Sequence, residues 1–464
     1  MKPLLPLLAV AAALAGCAPT LPPRPEAAQL NAPAAWQSAN PSTAPIRLDW
    51  WQQAGDEALN QLVAQALAHN LDVALAAARV QEARAQEGAA RAALLPSVDA
   101  SLGMSRGQTV SAFGKPSLST TEQPQLTVAY ELDLFGRVHD QAEAAHQSVL
   151  QSQYAQDSAR LAVAAATVNG YATLRALDER LAVLQQTKIT REQSLQHAQS
   201  RFAQGYTSQL EVTQARAELG SIAQQIPAVQ AAIARQEHAL SLLSGQPPGA
   251  IPRGKTISAL ALPAVSAEQP SELLRRRPDV AQAEAQLSAT DAQMAVARAQ
   301  FLPQIRLQAS AGRVFNSLLA DPINVWSIGG SLLAPLFRGG QLEGQFDAAT
   351  ARRDQAALAY KKTVLTAFKE VEDNLSTIAY LNEQQQALQG QLAAARDALR
   401  HATNRYREGY TSHLEQIDAQ RQVLAIQLAQ IQLQADALQA RVGLHQALGG
   451  GWEKAAPTNP TAAR

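Results

Sequence analysis

The chain contains two stretches that are nearly the same sequence, 204 residues apart. Residues 201–211 read RFAQGYTSQLE and residues 405–415 read RYREGYTSHLE. Two further matches agree at an offset of 207 and pair the following segments: 90–96 with 297–303, and 70–73 with 277–280. Three collinear matches at nearly one offset indicate a duplicated unit of about 200 residues, which is too long for a solenoid repeat. The sequence therefore predicts two similar halves that line one shared object.

The N-terminus predicts the compartment. Lys2 precedes an apolar stretch, Leu4 to Leu14, that is too short to span a bilayer as a mature helix and is typical of a removed signal. The following LAGC at 14–17 resembles a bacterial lipobox, in which Cys17 is acylated. Cys17 is the only cysteine, so no disulfide can form within one chain. A lipid anchor on Cys17 is the favoured interpretation, and an ordinary secretory signal that contains a cysteine is the alternative.

Composition excludes several classes of function. The formal net charge is zero, and the absence of a basic patch argues against nucleic acid as a partner. The eight histidines show no ligand spacing, and the chain has no phosphate loop or nucleophile elbow. We therefore expect no metal, no cofactor other than the covalent lipid on Cys17, and no enzyme activity. The arginine run at 275–277 is expected to be a solvated charge run, paired with Asp279 and Glu284.

Proline and glycine divide the chain into segments. Long helices are expected because Ala, Gln, Leu, Glu and Arg are abundant. The predicted segments are a signal peptide at 1–17, a proline-rich tether and belt segment at 18–55, a first repeat at 56–245, a linker at 246–270, a second repeat at 271–448 and a flexible tail at 449–464.

Each half has the same order of patterns. A helical run, at 57–93 and again at 271–300, ends at a Leu-Pro pair, after which apolar and polar residues alternate. The alternation predicts one β-hairpin within 97–134 and another within 304–333. Alternation over about ten residues is a weak signature of a transmembrane β-strand, and an edge hairpin on a soluble domain remains the alternative.

Long helices follow each hairpin. Residues 137–200 and 341–404 contain no proline. A sustained heptad seam then runs from Leu414 to Val442, and a second seam runs beside it. A helix with two seams packs against neighbours on both sides, as in a ring of helices, whereas a solid bundle is the alternative.

Membrane-spanning strands would require an oligomer. Four strands cannot close into a barrel, and an open sheet edge in lipid leaves backbone groups unpaired. Two copies would give eight strands, whose interior is filled by side chains, and three would give twelve strands and a lumen. A trimer is therefore expected if the function is passage.

The sequence resembles the outer membrane efflux proteins, which are TolC-like, and within them the lipoprotein branch that serves resistance-nodulation-division (RND) pumps. The resemblance spans nearly the whole mature chain in the family's order. It is carried by the following motifs: DWW at 49–51, NLDV at 70–73, LDLFGR at 132–137, LRRRPDV at 274–280, PLFRGG at 335–340 and the two GYTS turns.

The resemblance implies an α+β membrane protein. Its expected form is a trimeric twelve-stranded β-barrel, with four strands from each chain, continued by a twelve-helix α-barrel, with a two-fold internal repeat in each chain. The implied function is the outer membrane exit duct of a tripartite pump that passes drugs or metal ions, with a periplasmic adaptor and an inner membrane RND pump as partners. The absence of Asp after Cys17 implies sorting to the outer membrane. The alternatives are a periplasmic coiled-coil adaptor lipoprotein without a pore, and a type I secretion duct.

Two candidate sites follow from the resemblance. The periplasmic gate is expected at Leu414, Asp418 and Arg421, which share one helix face at i, i+4 and i+7. The alternative there is an exposed Asp–Arg pair on one helix. The tip that meets an adaptor is expected at the two turns, whose alternative is a plain helix–turn–helix connection: Gly205, Tyr206, Thr207, Ser208, Gly409, Tyr410, Thr411 and Ser412. Both turns depart from the family by having tyrosine after glycine.

Overall fold

The computed structural model describes residues 20–38, 44–110, 113–267 and 270–454. Cys17, the signal peptide at 1–17 and the last ten residues of the tail lie outside the described residues. Among the helices of the described residues, none is long and apolar enough to cross a membrane.

The described chain is mostly helical, and its helices come in two matched sets. Two helices of 67 residues have equal lengths and an offset of 204, and so do two helices of 35 residues. This correspondence confirms the internal repeat. The bounds are α1 Glu57–His69, α2 Leu71–Ala92, α3 Arg137–Ala203, α4 Gln209–Leu243, α5 Pro270–Arg276, α6 Pro278–Ala299, α7 Gln341–Arg407 and α8 His413–Ala447. At 1.5 Å per residue, α3 and α7 are each about 100 Å long.

The helical runs expected at 57–93 and 271–300 are each broken near their start, at Asn70 and at Arg277. Asn70 has an extended backbone, and its Oδ1 caps α2 by accepting hydrogen bonds from the N–H groups of Asp72 and Val73. Arg277 precedes Pro278, which disfavours a helical conformation at Arg277 and supplies no N–H. The two breaks occupy equivalent positions of the two repeats.

The two breaks also make equivalent contacts. The Asn70 side-chain amide donates to the carbonyl of Leu243, and the Arg277 guanidinium donates to the carbonyl of Ala447, at 3.0 and 2.9 Å. Leu243 and Ala447 are the last residues of α4 and α8. The expectation of a solvated run is therefore wrong for Arg277, which is buried, whereas its expected pair with Asp279 is confirmed at 2.7 Å.

Four antiparallel strands form one sheet in the order β1-β2-β3-β4. The strands are β1 Ser97–Val110, β2 Pro116–Leu132, β3 Gln304–Asn316 and β4 Ile323–Leu333. The two hairpins join directly, because β2 pairs with β3 from Leu132 opposite Ile305 to Thr121 opposite Asn316. The expected four strands per chain are thus confirmed.

The register separates the sheet into an apolar face and a polar face. Along β3, Leu307 lies opposite Tyr130 and Gly330, whereas the next residue, Gln308, lies opposite Ala129 and Gly329. Successive residues of a strand point to opposite faces. The apolar face carries mostly exposed large side chains over all four strands: Val98, Leu102, Met104, Leu126, Val128, Leu132, Leu307, Trp326, Ile328 and Leu332.

The chain divides into two compact units, each built from both repeats. The strand unit comprises Met1–Leu30, Ala78–Gln153 and Gln282–Lys362, and the helical unit comprises the remaining segments. The main core of the helical unit surrounds Trp50 and Tyr171, both fully buried. In the strand unit, the proline-rich segment lies against the helices, because the buried Arg353 guanidinium donates to the carbonyls of Pro22 and Pro23 at 2.8 and 3.0 Å.

Candidate functional site

The two GYTS turns have the same local structure, because glycine ends one helix and allows the chain to reverse. Gly205 and Gly409 have φ values of 76° and 79°, in the left-handed region that glycine tolerates best. The N–H of Tyr206 donates to the carbonyl of Arg201, and Tyr410 repeats this bond with Arg405, both at 2.8 Å. These 6→1 bonds are the mark of a Schellman motif. Tyr206 and Tyr410 are left exposed at the turns.

The serine of each turn does not cap the helix that follows. Ser208 and Ser412 occupy the N-cap positions of α4 and α8, but neither hydroxyl makes a capping bond. Instead the preceding threonine hydroxyls donate to carboxylates in the first turn of the next helix, Thr207 to Glu211 and Thr411 to Glu415. A carboxylate in the first turn also complements the helix dipole.

The end of α7 contacts the start of α4, which belongs to the other repeat. The Tyr406 hydroxyl donates to Glu211, and the Arg201 guanidinium lies over the Tyr406 ring, 5.2 Å from its centroid. Burial, together with Glu211, raises the pKa of Tyr406 to about 12. The phenol therefore stays protonated and remains a hydrogen-bond donor over the physiological pH range.

His413 packs against the same tyrosine. Its ring centroid lies 5.1 Å from that of Tyr406, and its Nδ1 has no hydrogen-bond partner. Burial lowers the pKa of His413, which favours the neutral imidazole. The side chains that hold the two turns together thus come from both repeats.

Arg421 binds a carboxylate that the sequence analysis missed. Its Nε donates to Glu218 at 3.1 Å and its Nη2 donates to the same oxygen, whereas its Nη1 reaches Asp418 only at 3.4 Å. Glu218, on α4, is buried and also lies 3.8 Å from the buried Arg191 of α3. The hydrogen bonds that Arg421 donates to Glu218 raise the pKa of Arg421. The polar cluster therefore joins α3, α4 and α8.

The other two predicted gate residues lie on the exposed side of α8. Leu414, Asp418 and Arg421 are all exposed in the single chain, and Asp418 has Arg421 as its ion-pair partner. The expected i,i+3 pair therefore exists, but it is the weaker contact of Arg421. The buried carboxylate and the arginine lie 203 residues apart, in different repeats. No local sequence pattern therefore predicts their contact.

No group of three or more His, Cys, Asp or Glu side chains within the described ranges is placed to hold a metal ion.

Comparison with known proteins agrees with this architecture. The sequence model of the family described as "Outer membrane efflux protein" matches residues 62–246 and 269–450. The pyoverdine export outer membrane protein OpmQ of Pseudomonas aeruginosa is 33% identical over 462 residues, covering 97% of both chains. The toluene efflux pump outer membrane protein TtgC of Pseudomonas putida is 34% identical over 464 residues, covering 97% of this chain and 96% of that protein.

Solved structures show the same fold. A membrane protein from Pseudomonas aeruginosa superposes with a TM-score of 0.83 at 33% identity, over 91% of this chain and 99% of that one. The open state of the Neisseria gonorrhoeae MtrE outer membrane channel superposes with a TM-score of 0.82 at 27% identity, over 94% of this chain and 98% of that one. Both repeats and all four strands fall within the matched family regions. The chain belongs to the outer membrane efflux protein family.

Proposed function

We propose that the protein is the outer membrane exit duct of a tripartite efflux pump and passes small molecules from the periplasm to the outside. The observation that carries this proposal is the four-stranded sheet with one apolar and one polar face, each of whose two hairpins is followed in the chain by a matched pair of long helices. An apolar face suits lipid and a polar face suits a lumen. The family and the relatives, which are efflux and export channels, support the same function.

The assembly proposed for this function is a homotrimer. The sheet ends at β1 and β4, whose outer edges would be unpaired in lipid at a cost of several kcal/mol per backbone group. Three copies supply twelve strands, enough for a lumen. The two GYTS turns form the periplasmic tip that meets an adaptor, and Leu414, Asp418 and Arg421 line the gate just beyond the second turn. The adaptor in turn connects the duct to an inner membrane RND pump.

Deletion of the gene tests the proposed function. We expect the deletion strain to become more susceptible to drugs or metal ions, because their exit path is lost, and the wild-type gene to restore resistance. The measurement is the minimum inhibitory concentration across a panel of drugs and metals. Unchanged susceptibility across the panel, together with no conductance from the purified protein in planar bilayers, would contradict the proposal.

A variant of the turns tests the tip. The double change Tyr206→Asp and Tyr410→Asp places charges on two exposed side chains, which contribute no core packing. We expect it to assemble trimers and conduct, yet to restore resistance poorly because docking is impaired. Full restoration of resistance would show that these turns are not needed for adaptor docking.

A second prediction concerns the anchor at Cys17. Four residues lie between Cys17 and Pro22, so the two are at most about 18 Å apart in an extended chain. Since Arg353 holds Pro22 and Pro23 against α7, a lipid on Cys17 must lie near that part of the strand unit. Cys17→Ser is expected to abolish incorporation of labelled palmitate while leaving conducting trimers, because a barrel spans the membrane without the lipid. Undiminished labelling of the variant would show that the lipid is carried elsewhere, and no labelling of the wild type would show that it is absent.

A further inference from the structure

The two repeats fill the groove between their long helices in different ways. Because α3 and α7 have equal lengths, as do α4 and α8, positions in the first repeat correspond to positions 204 residues later in the second. Both grooves lie in the helical unit, and each is covered by part of the segment that joins the repeats. The side chains of the second groove can therefore be compared with those of the first, position by position.

In the first repeat, the joining segment forms hydrogen bonds with four polar side chains of the groove, those of Asp178, Glu237, Tyr171 and Ser241. Arg253 inserts its guanidinium between two acids, donating from Nε to Asp178 at 3.1 Å and from Nη1 to Glu237. The remaining contacts are hydrogen bonds from the N–H of Gly254 to the Tyr171 hydroxyl at 2.8 Å and from the N–H of Gly249 to the Ser241 hydroxyl at 3.2 Å. The first groove is therefore a closed, fully paired polar cluster.

In the second repeat, the corresponding positions surround a cavity of about 290 Å³. The substitutions between the repeats reverse the charge of the site, because Asp178 corresponds to Asn382 and Glu237 corresponds to Arg441. The cavity is lined by Pro263, Ala264, Val265, Leu375, Ile378, Ala379, Asn382, Arg441, Leu444 and His445. The groove of the first repeat therefore binds a guanidinium group from the joining segment, whereas the groove of the second repeat contains a guanidinium group of its own.

His445 supplies an unpaired polar group at this cavity. Its side chain is 1% exposed and stacks on Trp50, with ring centroids 4.9 Å apart, yet neither ring nitrogen has a hydrogen-bond partner. Burial lowers the pKa of His445 to about 4, so the ring is neutral at physiological pH and offers one donor and one acceptor. A buried polar group left unpaired is destabilising. The equivalent Ser241 has no such deficit.

Arg441 is the one cationic side chain that lines the cavity. Its Nη1 donates to the carbonyl of Leu262 at 2.8 Å, and within the described part of the chain no carboxylate pairs with it. Guanidinium groups have five N–H donors in a planar fork that matches a carboxylate. Leu375, Ile378 and Leu444 give the cavity an apolar lining.

We infer that this cavity binds a small monocarboxylic acid with an apolar body, whose carboxylate accepts hydrogen bonds from Arg441. The apolar body lies against Leu375 and Leu444, and Asn382 at the exposed rim provides a further donor. The volume lies near the lower limit of about 300 Å³ for small-molecule pockets, which favours a ligand smaller than most drugs. The site is separate from the turns and from Arg421, and it goes beyond passage through the duct.

Calorimetric titration of the purified full-length protein tests this inference. We use 4-phenylbutyrate as the probe and 4-phenylbutan-1-ol as its uncharged counterpart, and we expect one site per chain for the acid and at least about tenfold weaker binding of the alcohol. Ala379→Trp, at the exposed rim, should abolish binding by filling the cavity. Arg441→Gln should weaken binding of the acid at least about tenfold.

Matched controls separate a site from general effects. Arg396→Gln removes the same charge from an exposed position of α7 about 20 Å along the helix from Asn382, and it should leave binding unchanged. Equal heats for Ala379→Trp and the wild type would show partition into detergent only and overturn the inference. No binding by the wild type would also overturn it and would indicate that the assembled protein fills the cavity itself. Either result leaves the exit-duct function intact, because single-channel conductance is measured on the same samples.

Discussion

Arg421→Ala is expected to shift the closed duct strongly toward its open state. In each chain, the change removes the main partner of Glu218, whose side chain is 8% exposed, and leaves it only Arg191 at 3.8 Å. Removing one partner of a buried pair is destabilising, but Arg421 is itself 58% exposed, so solvent screening limits the loss to about 1 kcal/mol per chain. The contact ties α8 to α4, and its loss frees the gate-bearing helix.

The loss of stabilisation is multiplied in a trimer, because each of the three chains loses the same contact. If the contacts act independently, about 3 kcal/mol is lost from the closed trimer, which changes the ratio of open to closed states roughly 100-fold. Single-channel conductance in planar bilayers measures the shift, and susceptibility to a large antibiotic such as vancomycin reports it in cells. Leu414→Ala should act in the same direction with a smaller effect, because it removes an exposed side chain without unpairing a charge.

Arg400→Ala is the matched control for this prediction. Arg400 pairs with Asp397 at 3.1 Å in an exposed i,i+3 pair on α7, the same kind of pair that Arg421 makes with Asp418, but without a buried carboxylate. It should leave the conductance unchanged. Equal conductance of Arg421→Ala and the wild type in assembled trimers would place the constriction elsewhere and make Arg421 a surface residue.

The regular elements could be predicted from the sequence because each has a strong local period. The repeat, the four strands and the long helices follow from duplication, alternation and heptads, each visible within a short window. The breaks at Asn70 and Arg277 were missed because apolar periodicity continues across them. Each of these side chains also satisfies the carbonyl at a distant helix end, a contact that no local pattern indicates.

The contacts of the candidate gate could not be predicted in the same way. The sequence brought Asp418 and Arg421 together because they lie on one helix face, but Glu218 and Arg191 belong to other helices. The arrangement of α3, α4 and α8 decides which carboxylate Arg421 binds, and nothing local records it. The cavity beside His445 is equally non-local, since it is recognised only by comparing two grooves built from matched helices.

The largest stability effect is expected from Leu307→Arg on the apolar face of the sheet. Leu307 lies between Tyr130 and Gly330, and its exposed neighbours on this face are apolar across the strands. In the proposed barrel this face contacts lipid, so an arginine near the bilayer midplane costs about 2–4 kcal/mol per chain. The measurement is the free energy of unfolding from denaturant titration of the folded trimer in lipid vesicles.

Gln308→Arg provides the matched control, because it places the same side chain one residue along the same strand. Gln308 lies on the polar face opposite Ala129 and Gly329, where the proposed lumen keeps a guanidinium hydrated, so the change should cost little. The protein already carries Arg313 on the face of Leu307, six residues or about 20 Å along β3. There the Arg313 guanidinium donates a hydrogen bond to the side-chain oxygen of Asn324 at 2.8 Å. Arg313 therefore marks where the apolar band ends, and the penalty should fall for substitutions placed closer to it. Equal unfolding free energies for Leu307→Arg and Gln308→Arg would show that neither face of this sheet contacts lipid.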